Sequence, residues 1–225
     1  MDLVTYSLEG GIAGIQMDDG KVNAMSIPLL TALHEAFDRA ELDRAVVVLS
    51  GREGIFSAGF DLGTFSLGRS HALKMLRLGA TLAERVLSFP LPVVAACTGH
   101  AYPMGAFLLL AADRRIGCDG DFRLGLNEVA IAMTLPHFAV EIARQRLAPA
   151  YFHRCVTGDL YGPQEAVTAG FLDEVVAPAA LEGRARRVAE GLRAIDFDAH
   201  AATKQRVRAQ ALAALRDAID SELRL

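Results

Sequence analysis

FSAGFDLG, from Phe56 to Gly63, and TGHAYPMGAFLLLAAD, from Thr98 to Asp113, are the stretches whose reading decides the fold. Each follows an apolar, β-branched run, AVVVLSG before the first and PVVAAC before the second. Each therefore reads as a buried strand that ends in a glycine-bearing turn. Such a turn leaves backbone N–H groups without partners, and two of them set face to face can hold one oxygen atom that becomes negative during a reaction. The second turn also opens an apolar helix, so the positive end of a helix dipole adds to its free N–H groups.

Outward from these turns the pattern alternates. Leu3 to Leu8 and Ile12 to Met17 read as a hairpin around Gly10 and Gly11. Ser26 is placed to cap a helix with Leu29, Leu30, Leu33, Phe37 and Ala40 on its apolar face. Ser70 is placed to cap another, through Leu73, Leu76, Ala80, Leu82 and Val86, ended by Leu91-Pro92. Pro103 suits the first turn of the helix that contains Phe107 to Ala112. Arg115 to Cys118 and Asp121 to Leu124 read as short strands. The stretches 136–146, 149–156 and 163–169 read as short helices, the last stopped by Gly170. From Leu181 the pattern is helical, with a break near 196–198 and an amphipathic tail (Ala202, Val207, Ala211, Leu212, Leu215, Ile219) expected to dock on a body or a partner. Strands alternating with helices predict an α/β fold, and no repeat or linker separates domains. The expected organisation is one core over residues 1–180 and a helical segment over 181–225.

Bulk properties narrow the class. A chain of 225 residues suits one domain with a sizeable core. Hydrophobic content of 52% and a mean hydropathy of +0.27 are high for a monomer and point to apolar surface covered by sister subunits. A net charge of −4 gives no electrostatic reason to bind nucleic acid or an anionic membrane. No apolar run is long enough to span a bilayer, and MDLVTYSLEGG lacks the features of a secretory signal, so a cytoplasmic location is expected. Cys97, Cys118 and Cys155 are scattered in apolar settings, as expected of buried free thiols rather than disulfides or a metal site. No nucleophile elbow, phosphate-binding loop, dinucleotide fingerprint or zinc-protease helix motif occurs, and no metal-ligand cluster has sensible spacing.

The two turns, with what surrounds them, resemble the enoyl-CoA hydratase/isomerase family, also called the crotonase superfamily. The likeness runs in order through Lys21-Val22-Asn23-Ala24-Met25, Ala58-Gly59-Phe60-Asp61, Gly99 to Gly105, Gly125-Leu126-Asn127-Glu128, Leu135-Pro136-His137, and Thr157-Gly158 with Ala166, Gly170 and Phe171-Leu172. The resemblance implies a spiral of repeated ββα units with a C-terminal helical segment, and a homotrimer or homohexamer. It implies an oxyanion hole for a thioester carbonyl from the backbone N–H groups of Phe60 and Met104, whose side chains are then free to vary. It implies that Glu128 handles protons, and that Lys21, Val22, Ala24, Ala58 and Leu62 meet the coenzyme A portion. Coenzyme A enters as part of the substrate, with no separate cofactor expected.

One departure bears on the reaction. Phe107 stands where hydratases of the family carry their first glutamate. Hydration of a 2-enoyl thioester needs a held and activated water, whereas one carboxylate is enough to move a proton from C2 to C4 of a 3-enoyl thioester. The residues thus favour isomerisation. Hydration, and a catalytically inactive acyl-CoA binder, are the alternatives. Asp61 reads as a structural residue that fixes its turn. Asp113 reads as a structural partner of Arg114 and Arg115. His100, Tyr102 and His137 are expected to rim the pocket.

Overall fold

The computed structural model describes residues 2–224. In chain order its elements are β1 (Val4–Glu9), β2 (Ile12–Met17), α1 (Ile27–Leu42), β3 (Val46–Ser50), β4 (Gly54–Ser57), α2 (Leu62–Ser66), α3 (Arg69–Ser88), β5 (Val93–Cys97), β6 (Gly99–Ala101), α4 (Pro103–Ala111), β7 (Arg114–Cys118) and β8 (Leu124–Gly125). They continue as α5 (His137–Arg146), α6 (Pro149–His153), β9 (Leu160–Tyr161), α7 (Pro163–Ala169), β10 (Glu174–Val176), α8 (Leu181–Leu192), α9 (Phe197–Val207) and α10 (Ala209–Glu222). The main sheet has six strands in the order β1-β2-β3-β5-β7-β10, and a smaller one has the order β4-β6-β8-β9. The β1–β2 and β8–β9 pairs are antiparallel and the rest are parallel. Strands β3, β5 and β7 lie in the main sheet and each is followed by a short partner in the other, so the chain winds as a spiral of ββα turns, as in the crotonase fold.

Alternation along each strand fills both faces of the main sheet. Val47, Leu49, Val93, Ala95 and Cys97 join the principal core with Phe37, Phe56, Phe107 and Phe138. Val46, Val94, Ala96, Ile116 and Cys118 face the other way, under Leu181, Ala185 and Ala189 of α8. The three cysteines are free, and burial pushes the Cys97 thiol up to about 12. Among the described residues no helix is long and apolar enough to cross a membrane.

Ser26 caps α1 by accepting the Leu29 N–H, and Pro103 opens α4, both as expected. Other local readings are corrected. Ser70 does not cap α3. That helix starts one residue earlier, at Arg69, with Gly68 as its cap residue and no side-chain capping bond. The 121–124 strand shrinks to Leu124–Gly125, because the Arg123 N–H donates to His100 Nδ1 instead of to a ladder. The tail breaks earlier than 196–198, because the Asp196 carboxylate accepts the Ala199 N–H and starts α9 there.

Asp113 is structural, with other partners than Arg114 and Arg115, which turn instead to Asp173. Its carboxylate accepts from Val93 N–H, from Lys204 Nζ and from Arg208 Nη2, each at 2.8 Å. Lys204 and Arg208 belong to the tail, which is how α9 and α10 are fastened to the body. α10 then lies along α5 and α3 of its own chain. The Lys204 side chain is 3% exposed, and burial pushes its ammonium down to about 8. Asp113→Ala would leave these buried cations without their anion, at an expected cost of about 3–5 kcal/mol in urea unfolding.

Candidate active site

The loop after β4 is held by the turn that spans Asp18 to Met25. Asp19 accepts the N–H groups of Lys21, Asn23 and Ala24, which bends this turn tightly. Asn23, buried with φ +51, donates from Nδ2 to the carbonyls of Met17 and Phe56. Its own carbonyl accepts from Ser57 Oγ at 2.7 Å.

The result is a selective use of amides. Ala58 N–H donates to the Val22 carbonyl, Gly59 N–H to Ser57 Oγ and Asp61 N–H to the Met25 carbonyl. Gly59 can make the bend because it sits at φ +88, where a side chain would be strained. Among the described residues nothing accepts the Phe60 N–H. Asp61 then caps α2, accepting from Gly63 N–H, Thr64 N–H and Thr64 Oγ1, so its role is structural.

The second turn runs alongside the first. Tyr102 N–H donates to the Ser57 carbonyl, and α4 follows at once. Pro103 has no N–H, and the Met104 N–H lies in the first turn, where a helix offers no acceptor. A Cβ on Gly59 would stand 3.7 Å from Met104 N, so the two turns touch at this point. The side chain of Met104 is fully buried.

A cavity of about 600 Å³ opens beside the turns. Ala58, Gly59, Phe60 and Leu62 line one wall, and Tyr102, Pro103 and Phe107 another. Phe107 packs edge-on against Phe138, with ring centroids 5.6 Å apart. Glu128 enters from a single 3₁₀ turn, Glu128–Ile131, that follows β8. The residue is 5% exposed, and its Oε2 is buried with no partner. Burial pushes its carboxyl up to about 7, where it can both take and return a proton near neutrality.

Several expected residues stand elsewhere. Lys21, Val22 and Ala24 do not line the cavity. Lys21 and Val22 are exposed, and the turn they belong to holds the Phe60 loop from behind. His137 is exposed and outside the lining, because only its backbone turns inward, donating its N–H to Glu222 Oε2 at 2.8 Å. His100 stacks behind Tyr102 at 5.8 Å, outside the lining, and only Tyr102 faces the cavity.

Sequence reasoning missed the supporting residues Asp19 and Ser57, gave no role to Asn23, and did not foresee Glu222. Asp18-Asp19-Gly20, with Asn23 close behind, are residue types that bond or bend the local backbone, which is a turn signal. Glu222, at the end of α10, lines the same cavity with Leu223, and no local pattern ties it to a turn so distant in the chain. Among the described residues no group of three or more His, Cys, Asp or Glu side chains is placed to hold a metal ion.

Fold and cavity together define an α/β protein of the crotonase type, with a buried carboxyl beside two glycine turns. The enoyl-CoA hydratase/isomerase model matches residues 7–225, and the chain belongs to that family. It is 29% identical to the mitochondrial enoyl-CoA delta isomerase 1 of Rattus norvegicus, over 83% of this chain and 66% of that one. It is 30% identical to a probable enoyl-CoA hydratase of Bacillus subtilis, over 75% of this chain and 64% of that one. The chain thus spans a little under two thirds of these relatives' lengths. A crystal structure of an enoyl-CoA hydratase/isomerase family protein from Pseudomonas syringae superposes with a TM-score of 0.97 at 45% identity, covering 99% of this chain and 97% of that one.

The raised Glu128 carboxyl has a consequence for stability. Its protonated form is favoured in the folded state, so stability is greatest below the ordinary glutamate value of 4.5 and falls as pH rises through about 7. Glu128→Gln removes that fall. In thermal unfolding the variant should gain on the wild type between about pH 4.5 and about pH 8, and parallel pH profiles would refute the burial argument.

Proposed function

We propose that this protein binds an acyl-CoA thioester in the cavity and converts 3-enoyl-CoA to 2-enoyl-CoA. The thioester oxygen lies in an oxyanion hole between the N–H groups of Phe60 and Met104. The Glu128 carboxylate takes a proton from C2, the C2–H electron pair forms a C1–C2 double bond, and the carbonyl π pair moves onto the oxygen, giving a dienolate conjugated with the intact C3–C4 double bond. The two donors, one at a helix N-terminus, stabilise that charge. The Glu128 carboxyl then returns the proton to C4, the oxygen's charge collapses back, and the double bond ends between C2 and C3. The coenzyme A arm would lie outside the cavity, against the exposed turn of Lys21 and Val22, where the Val22 carbonyl accepts from Ala58 N–H. No cofactor beyond the substrate's own coenzyme A is called for.

The carrying observation is the pairing of one buried, unpartnered glutamate with Phe107. The resemblance would put a second glutamate at Phe107, and its ring is part of an apolar wall instead. Such a wall holds water poorly and favours proton transfer over hydration. Relatives bear both names, so likeness alone does not choose between the reactions. A hydratase reading would call on Glu222, which reaches the same cavity, although its Oε2 already accepts from His137.

Assay of 3-hexenoyl-CoA beside crotonyl-CoA separates the readings. Isomerisation should be the faster, Glu128→Gln should lose about 10²–10⁴-fold of it, and Glu222→Gln should lose little. Because the base must be ionised, the wild-type rate should rise with pH through about 7. Fast hydration that depends on Glu222 would overturn the isomerase assignment, and binding with no turnover would point to an inactive acyl-CoA binder. The same family likeness supports a homotrimer or homohexamer. Exposed Leu67, Val129 and Val156 are side chains that a neighbouring copy would cover. Light scattering should give a mass three or six times the 24.1 kDa of one chain, and a monomer would refute this assembly.

A further inference from the structure

Gly79 lies in the buried middle of α3, where glycine costs about 1 kcal/mol relative to alanine. A Cβ at this position would stand 2.5 Å from Cε1 and 2.6 Å from Cζ of Phe60. It would also stand 3.0 Å from Met104 Sδ. These two side chains belong to the residues whose N–H groups are unpaired beside the cavity, and both rest on the same spot of α3. The expectation that they are free to vary is therefore corrected: their side chains are seated. The hydrogen bonds of the first turn use the N–H groups of Ala58, Gly59 and Asp61, and the Gly59 carbonyl, which shares a peptide plane with the Phe60 N–H, accepts from Met25 N–H at 2.8 Å. The Phe60 N–H thus has a backbone restraint on one side of its peptide, and the seat of the Phe60 ring is the restraint on the other.

We infer that Gly79 is a positioning residue: its missing side chain lets Phe60 and Met104 dock on α3, and that docking aims both amide donors at one point. The inference rests on the oxyanion-hole reading of these amides. A methyl group at position 79 pushes directly on the Phe60 ring, while the Met104 sulfur needs to move only a few tenths of an ångström. The push acts on the tip of the ring and reaches the amide through the two side-chain torsions of Phe60. Misplacement of a catalytic donor by about 1 Å can cost about 10²-fold.

The test combines turnover of 3-hexenoyl-CoA with the absorption of bound cinnamoyl-CoA, which shifts to the red as its carbonyl oxygen accepts hydrogen bonds. Gly79→Ala should still bind cinnamoyl-CoA, with a smaller red shift, and should lose about tenfold or more of kcat with less change in KM. In a Phe60→Leu background, where the new Cβ has room, the same methyl group should change kcat by less than about twofold. A full red shift and wild-type kcat in Gly79→Ala would overturn the inference, as would an equal loss in both backgrounds. Should Gly79→Ala alone fail to fold, the comparison of Phe60→Leu with the double variant decides: no added loss supports the seat, and a tenfold added loss sinks it. A wild-type protein that binds cinnamoyl-CoA with no red shift would instead defeat the oxyanion-hole reading itself.

Discussion

A helix with no exposed side chain has only the surrounding fold to satisfy its two ends. All nine residues of α4 are buried. At its C-terminus the carbonyls of Leu110 and Ala112 accept from the Arg146 guanidinium, at 3.3 and 2.9 Å. The Ala111 carbonyl lies 3.5 Å from Arg208 Nη1, which also donates to the Leu87 carbonyl. Positive charge therefore sits at the negative end of the helix dipole. The N-terminus is left unfilled, with Pro103 removing one donor and Met104 keeping another. A helix charged in this way presents an unmet demand for negative charge at one place, the wall of the cavity. The other elements either bury α4 or bring groups to that end of it.

The same logic of leaving one group unpaired recurs twice. Among the amides of residues 58–61, three are consumed locally and that of Phe60 is not. Among the oxygens of Glu128, one is sealed from solvent without a partner. An unsatisfied donor or acceptor in a folded interior is costly, so native structures contain few of them. Two free amides and one free carboxyl oxygen around one cavity concentrate that cost where a substrate can relieve it. This is the sense in which the site is preorganised: its polar groups have no better partner inside the protein.

Much of the main sheet was legible in the sequence, because β1, β2, β3, β5 and β7 are apolar or alternating runs of five or six residues bounded by turn residues, whereas the three-residue edge strand β10 was not read. Ser26, Pro103 and Asp61 play the parts that their residue types suggest. The second sheet was not legible. Strands of two to four residues, such as β8 and β9, leave too short a trace for any period to show. Glu128 stood out by its place after a strand and by family likeness, while its burial depends on walls drawn from the whole chain. Asn23 stood within a recognised motif without a role, since only the folded chain brings Ser57 to its carbonyl. The partners of Asp113 were misread because the sequence neighbours Arg114 and Arg115 concealed the distant Lys204 and Arg208. Charge pairing across some ninety residues leaves no local sign.

The tail connects these observations. Arg208 both answers Asp113 and reaches the carbonyl end of α4, and fourteen residues later the same stretch supplies Glu222 and Leu223 to the cavity. Arg77 on α3 receives the end of α10, donating to the carbonyls of Ile219 and Leu223. A single proteolytic nick in the connector between α8 and α9 would thus leave a countercharge, a cavity wall and an anchor held by non-covalent contacts alone, with Glu128 and both glycine turns still chemically whole. The lifetime of the working protein is then governed by how firmly its last two helices stay fastened, far in sequence from the atoms that would do the chemistry.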